Sequence, residues 1–320
     1  MHQRVDPPPA PSVISHLRSR HRSGWTFAGL AVALSLAGTA LAWERSGLAW
    51  IAGQLVLASA FVQWFVLLHE CGHGTLFPSR RLNTLAGHVA GFFALIPFPV
   101  WTRVHGRHHK WTGWQDVDPT TATLAPRTRR PYERRVVNFC WKYWLPLFSV
   151  VYRLGNFWHL GRLARLFPDR SEHRALVRSA VLLAALYGLV LWVIGPLALL
   201  RLTGLALFLA LVVEDVLLIS QHTHIPMELA AGAEVRPFRT IDQEVFTRSL
   251  RLPRLLSWFT LHFDAHELHH MYPFVPGYRL DEVPYVPANE VSWRRWIPAA
   301  RAVPGEILLF QNRNESGFDI

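Results

Sequence analysis

Apolar residues in this chain gather into long uninterrupted stretches rather than into the short periodic runs of a soluble domain. Residues 25–43, 47–68, 175–200 and 203–220 are almost wholly apolar, and about 20 such residues let an α-helix cross roughly 30 Å of hydrocarbon. Only Glu44, Arg45 and Ser46 separate the first two stretches, and only Arg201 and Leu202 the second two. Each pair therefore predicts a helical hairpin that leaves one membrane face and returns to it. The triplet Ala40-Leu41-Ala42 has the shape of a leader-cleavage site, but its apolar stretch is longer than a leader's 7–15 residues, so it is read as a span.

The polar positions give the hairpins a direction. Arg4, Arg18, Arg20 and Arg22 precede the first hairpin, while Arg45 alone lies at its turn; basic loops stay on the cytoplasmic side. Residues 1–23, basic and holding Pro7, Pro8 and Pro9, predict a disordered cytoplasmic tail. Residues 24–310 form the membrane domain and 311–320 a C-terminal tail. Residues 138–167 mix Trp141, Trp144 and Trp158 with Lys142, Arg153, Arg162 and Arg165, which predicts helices lying in the headgroup layer. The fold class is thus all-α and integral to a membrane: four transmembrane helices in two hairpins, with a cytoplasmic helical cap.

Composition supports a membrane protein: 51% hydrophobic, 17% charged and 14 Trp. The net charge of +11 could suit nucleic acid, but the basic residues flank apolar stretches, where membrane orientation accounts for them, and no nucleic-acid partner is expected. Cys71 and Cys140 are the two cysteines and form no C-x-x-C pair, so disulfide frameworks, zinc knuckles and iron–sulfur clusters lack ligands.

Histidine carries the chemistry. Three clusters are written at the ends of apolar stretches: His69-x3-His73, His105-x2-His108-His109 and His266-x2-His269-His270. With 17 His in 320 residues, chance would place about 0.05 copies of H-x-x-H-H in the chain; there are two. On a helix, residues three or four apart lie on one face, so His69 can converge with His73, and His105 with His108 or His109. Adjacent His108 and His109 diverge, which would let one cluster serve two neighbouring ions. The apolar stretch 85–101 contains Pro97 and Pro99 and lies between the first two clusters. Were it to cross, those clusters would face opposite sides, so it is predicted to be re-entrant or interfacial.

The three clusters, with Gln221-His222-Thr223-His224 ahead of the last and His269-His270-Met271-Tyr272-Pro273 and Pro276 at its end, resemble the membrane fatty acid desaturase superfamily, most of all acyl-lipid desaturases of the Δ12/ω3 type. The resemblance spans residues 63–280. It implies two non-haem irons bound by His69, His73, His105, His108, His109, His266, His269 and His270, with His222 as the additional ligand; His224, His262 and His88 are weaker choices. It implies O2 as co-substrate, a long-chain acyl lipid as substrate among membrane lipids, and a site facing the cytoplasm of a bacterial plasma membrane. No fused cytochrome b5 signature is found, so electrons are expected from a separate ferredoxin-like donor. The three-residue gap of the first cluster departs from the four-residue gap of acyl-CoA Δ9 enzymes, and the third begins with His rather than the Gln of front-end desaturases.

Carboxylates remain for orienting ring N–H groups: Glu70 and Glu267 foremost, with Asp116, Asp118 and Asp264. Glu214 and Asp215 fall inside a predicted span, where acids are costly and suggest function. Asp215 shares a helical face with His222 and is expected to act toward the irons, the alternative being an ion pair within the bundle. Two other readings stay open. Carotenoid ketolases and hydroxylases and alkane-type hydroxylases carry similar clusters, and His69-Glu70-x-x-His73 also matches the H-E-x-x-H of zinc proteases.

Overall fold

A computed structural model describes residues 7–44, 47–127, 129–318 and 320. The first apolar stretches become α1 (His21–Trp43) and α2 (Gly47–His73), packed side by side. Gly53 permits their close approach, since a Cβ there would come within 2.4 Å of the Ala42 nitrogen. α3 (Arg80–Phe93) and α4 (Phe98–Trp111) follow, bent by 99° with respect to each other. Pro97 and Pro99 lie at the start of α4, where a missing N–H interrupts no helical hydrogen bond.

Three short helices come next, α5 (Pro131–Lys142), α6 (Leu147–Arg153) and α7 (Leu160–Leu166), the last two bridged by a π-helical turn at Leu154–Trp158. Then α8 (Arg170–Ile194) and α9 (Pro196–His222) meet at Gly195. The turn was expected at Arg201–Leu202, and the structure moves it six residues earlier. Gly195 takes φ +83°, open to glycine at little cost, and Pro196 occupies the first position of α9. Arg201 and Leu202 continue inside α9, where their carbonyls accept hydrogen bonds from Trp50 Nε1 (3.0 Å) and Gln54 Nε2 (2.8 Å) of α2.

Beyond α9 the chain is less regular: α10 (Arg254–Phe259), α11 (His266–Met271), α12 (Trp293–Ala302), α13 (Gly305–Phe310) and α14 (Arg313–Ser316). A two-residue parallel pairing joins Leu250–Arg251 to Val291–Ser292. Among the described residues α1, α2, α8 and α9 are the helices long and apolar enough to cross a membrane singly. The main core gathers around α2, where Phe65, Leu67 and Leu68 meet Trp101 and Val104 of α4 and Phe157.

Part of the N-terminal segment expected to be disordered is docked on the rest of the fold. Residues 1–6 lie outside the described residues. Farther on, Ile14 and Leu17 are 1% and 2% exposed and pack with Leu268, Met271 and Tyr272. The Pro9 carbonyl accepts from the Tyr272 hydroxyl at 2.8 Å, and Arg279 donates to the carbonyls of His16 and Arg18. Two apolar residues three apart are enough to dock a segment that its average composition marks as disordered. At the other end, Ser316 of α14 meets His224 Nε2 at 2.6 Å.

Candidate metal centre

Four elements deliver nine imidazoles to one place. The end of α2 brings His69 and His73, α4 brings His105, His108 and His109, the end of α9 brings His222, and α11 brings His266, His269 and His270. They divide into two groups whose ligand atoms lie within 4.8 Å of one another: His69, His73, His105, His109 and His269 in one, His108, His222, His266 and His270 in the other. The division follows the helix geometry, since i and i+4 stay together while the residue between them turns to the other group. In α4, His105 and His109 go one way and His108 the other; in α11, His266 and His270 go one way and His269 the other.

Ring nitrogens are turned toward each other. His105 Nε2 lies 2.8 Å from His73 Nε2 and 3.1 Å from His109 Nε2, and His109 Nε2 lies 3.0 Å from His269 Nε2. In the second group His222 and His266 Nε2 are 2.7 Å apart. Among the described residues no hydrogen-bond partner exists for His69 Nε2, His270 Nε2, or the Nδ1 atoms of His105, His109 and His266. A neutral imidazole carries one N–H and one lone pair, so these rings cannot all pair with one another. Separations near 3 Å suit neighbouring ligands of one first-row ion with metal–nitrogen bonds of about 2.1 Å. The donor set therefore fits bound metal. Burial, reinforced by the neighbouring histidines, holds His266, His269 and His270 well below the usual histidine range, which keeps them in the neutral form that a metal requires.

Several outer contacts fix the rings. His108 Nδ1 donates to Asp118 Oδ2 at 2.7 Å, with Thr120 Oγ1 alongside at 2.9 Å. His270 Nδ1 donates to Gln243 Oε1 at 2.9 Å, and Gln243 Nε2 in turn donates to the His109 carbonyl. His69 Nδ1 lies 3.3 Å from Glu70 Oε1, while Glu70 Oε2 accepts from Thr75 Oγ1 and from the Gly277 N–H. His105 stacks on Trp101, centroids 4.8 Å apart. Replacing Asp118 by Ala is expected to weaken metal binding at the second group by about 10–100-fold, because His108 loses the acceptor that sets its tautomer. Chelator competition would read this, and an unchanged affinity would deny Asp118 that part.

Not every carboxylate singled out from the sequence touches a ring. Asp215 Oδ1 accepts from the Ser149 N–H at the start of α6, and Glu214 pairs with Arg153; the charge that costs most in a bundle is met by the nearest donors rather than by the histidines. Glu267 accepts from the N–H groups of Ser249 and Asn289, and burial pushes it up to about 7. Asp116 holds the N–H groups of Ala230 and Ala231, and Asp264 holds Ser257 and Leu252. Nor do His224, His262 and His88 join either group; they lie against Ser316, Ser257 and Phe98. Thr120 and Gln243 escaped the sequence reading, because neither belongs to a motif or shares an element with the ring it touches.

The family described as fatty acid desaturase matches residues 45–288. This chain belongs to the fatty acid desaturase family. It is 28% identical over 285 residues to a probable fatty acid desaturase of Sorghum bicolor, covering 83% of this chain and 70% of that protein. To the chloroplastic temperature-sensitive sn-2 acyl-lipid omega-3 desaturase (ferredoxin) of Arabidopsis thaliana it is 26% identical over 269 residues, covering 79% of this chain and 59% of the relative. An endoplasmic reticulum acyl-lipid omega-3 desaturase (cytochrome b5) of the same plant is 27% identical over 242 residues, covering 68% and 58%. The chain thus spans between 58% and 70% of the length of these relatives.

Proposed function

We propose that this desaturase-family chain introduces a double bond into a long acyl chain of a membrane lipid, using O2 and two irons held by the nine histidines. The observation that carries the reading is the division of the imidazoles into five and four beside an apolar cavity. A space of about 30 Å³ touches His69, His105, His108, His222 and His266 and is otherwise walled mainly by Trp101, Phe148, Tyr152, Leu218 and Phe263. Leu124 and Phe148 border both it and an outer cavity of about 280 Å³ between α5, α6 and α13, with Arg127 and Arg129 among its lining. An unbranched apolar chain suits such a passage, and the walls would hold its methylenes and exclude water.

Two bound irons would supply the reductive activation of O2 needed to attack unactivated methylenes. The protein's part is to hold His266, His269 and His270 neutral, to fix the His108 and His270 tautomers through Asp118 and Gln243, and to present the chain from the Leu124 side. The membrane arrangement we propose has α1 with α2 and α8 with α9 as two hairpins, α3 and α4 as a re-entrant pair, and the histidines at the cytoplasmic face. A separate ferredoxin-like protein supplies electrons. In the zinc-protease alternative Glu70 would act as a free base. That reading is disfavoured by five imidazoles in one group, more than a tetrahedral zinc takes, and by the commitment of Glu70 to Thr75 and Gly277.

The test is expression in a bacterial host lacking polyunsaturated lipids, with a ferredoxin system. Membrane acyl chains are expected to lose about 2 mass units per event in an O2-dependent manner, two hydrogens being removed. A hydroxyl or ketone on a carotenoid or alkane, with acyl chains unchanged, would replace the desaturase reading by an oxygenase on the same metal centre.

A further inference from the structure

A groove of about 410 Å³ lies between the bend of α3 and α4 and the outer face of α8. Its α8 wall is formed by Ala175, Arg178, Ser179, Leu182, Leu183 and Leu186, the i, i+3, i+4, i+7, i+8, i+11 spacing of one helix face. Opposite stand His88 and Phe92 of α3 with Ile96 and Pro97 of the bend. A polar contact lies toward each end. At one, Arg103 Nε meets Glu172 Oε1 at 3.0 Å; at the other, the Tyr187 hydroxyl donates to the Phe92 carbonyl at 2.7 Å. The side is open, for Leu182 and Leu186 are 63% and 43% exposed.

Length and polarity together suggest an occupant. From Ala175 to Leu186 the wall runs about 16 Å at 1.5 Å per residue, close to half of a hydrocarbon core about 30 Å thick. The polar members of the lining are His88, Arg178 and Ser179, and Arg178 makes no hydrogen bond or ion pair among the described residues. Arg174 and Arg170 continue the face of Arg178 at four and eight residues toward the start of α8, while Leu182 and Leu186 continue it the other way. None of the lining residues borders the two cavities near the histidines.

We propose that this groove binds one membrane phospholipid with an anionic headgroup. Arg178, with a ring N–H of His88, takes the phosphate, and one acyl chain lies along Leu182 and Leu186. The lipid is a resident rather than the substrate, and it braces the bend that carries α4 and its three histidines. The inference rests on the membrane arrangement proposed above and not on the reaction.

Native mass spectrometry of the full chain, released from nanodiscs holding equal phosphatidylglycerol and phosphatidylcholine, tests it without reference to turnover. One phosphatidylglycerol per chain is expected to survive release, with retention about 10-fold lower in Arg178→Gln and lower again in the double variant with His88→Leu. Equal retention of both lipids, or retention unaffected by Arg178→Gln, would overturn the proposal. Should the variants not fold, phosphatidylglycerol with a photoreactive acyl chain decides on the unaltered protein. Crosslinks are expected at Leu182, Leu186 or Phe92, and crosslinks spread evenly over other exposed apolar positions, such as Leu36 and Leu55, would refute it. Failure of the desaturation assay with this lipid still retained would count against the reaction alone.

Discussion

Replacing His109 by Ala is expected to empty the five-histidine group and abolish the proposed desaturation while the protein still folds. His109 Nε2 lies between the Nε2 atoms of His105 and His269, at 3.1 and 3.0 Å, so its loss removes the ring that joins His105 of α4 to His269 of α11. The effect should exceed the roughly 10–100-fold that loss of an outer hydrogen-bond partner costs a metal site. Metal analysis of anaerobically purified, iron-replete protein is expected to give about two irons per unaltered chain and about one in the variant. His224→Ala, which touches Ser316 instead, should keep both. A single zinc in the unaltered protein, or full iron and turnover in His109→Ala, would refute the ligand assignment.

The second large effect is on stability. Arg153 of α6 forms a buried ion pair with Glu214 of α9, and its Nε donates to the Ala94 carbonyl at the bend between α3 and α4. Its guanidinium also lies over the Phe65 ring, 5.4 Å from the centroid. One side chain therefore ties three elements together at a place where water is not available to replace it. Arg153→Met should destabilise the fold by about 3–5 kcal/mol, because it leaves the Glu214 carboxylate buried without its partner. The double variant Arg153→Met, Glu214→Leu should recover much of that loss, since removing both charges removes the desolvation penalty as well. Unfolding in detergent measures both, and a double variant no more stable than the single would show that the contacts to Ala94 and Phe65, rather than the charge pair, hold the bend.

Helix existence was legible wherever the physical cause is local. A run of apolar residues long enough for a bilayer is visible in one dimension, and α1, α2, α8 and α9 lie where such runs predict them. The break between the last two falls at Gly195 and not at Arg201, because Gly195 takes a positive φ at little cost and Pro196 starts a helix well, whereas one charge does not end one. The docking of Ile14 and Leu17 was not legible, since their partners are Leu268 and Met271 at the other end of the chain.

The spacing of the histidines is also local, and helix geometry alone allows adjacent members of H-x-x-H-H to serve different ions. By itself the sequence determined that the chain is built of long apolar helices and that its histidines stand at their ends in sets able to share a face, because both follow from a repeat of 3.6 residues per turn. Tertiary structure decided which rings from different helices face one another. It decided that Asp118 and Gln243 hold His108 and His270, and that Asp215 serves the start of α6 instead. Those pairings join residues separated by up to 66 positions in the chain. A buried polar group takes the partner that folding brings within about 3 Å, and no periodicity along the sequence records that distance.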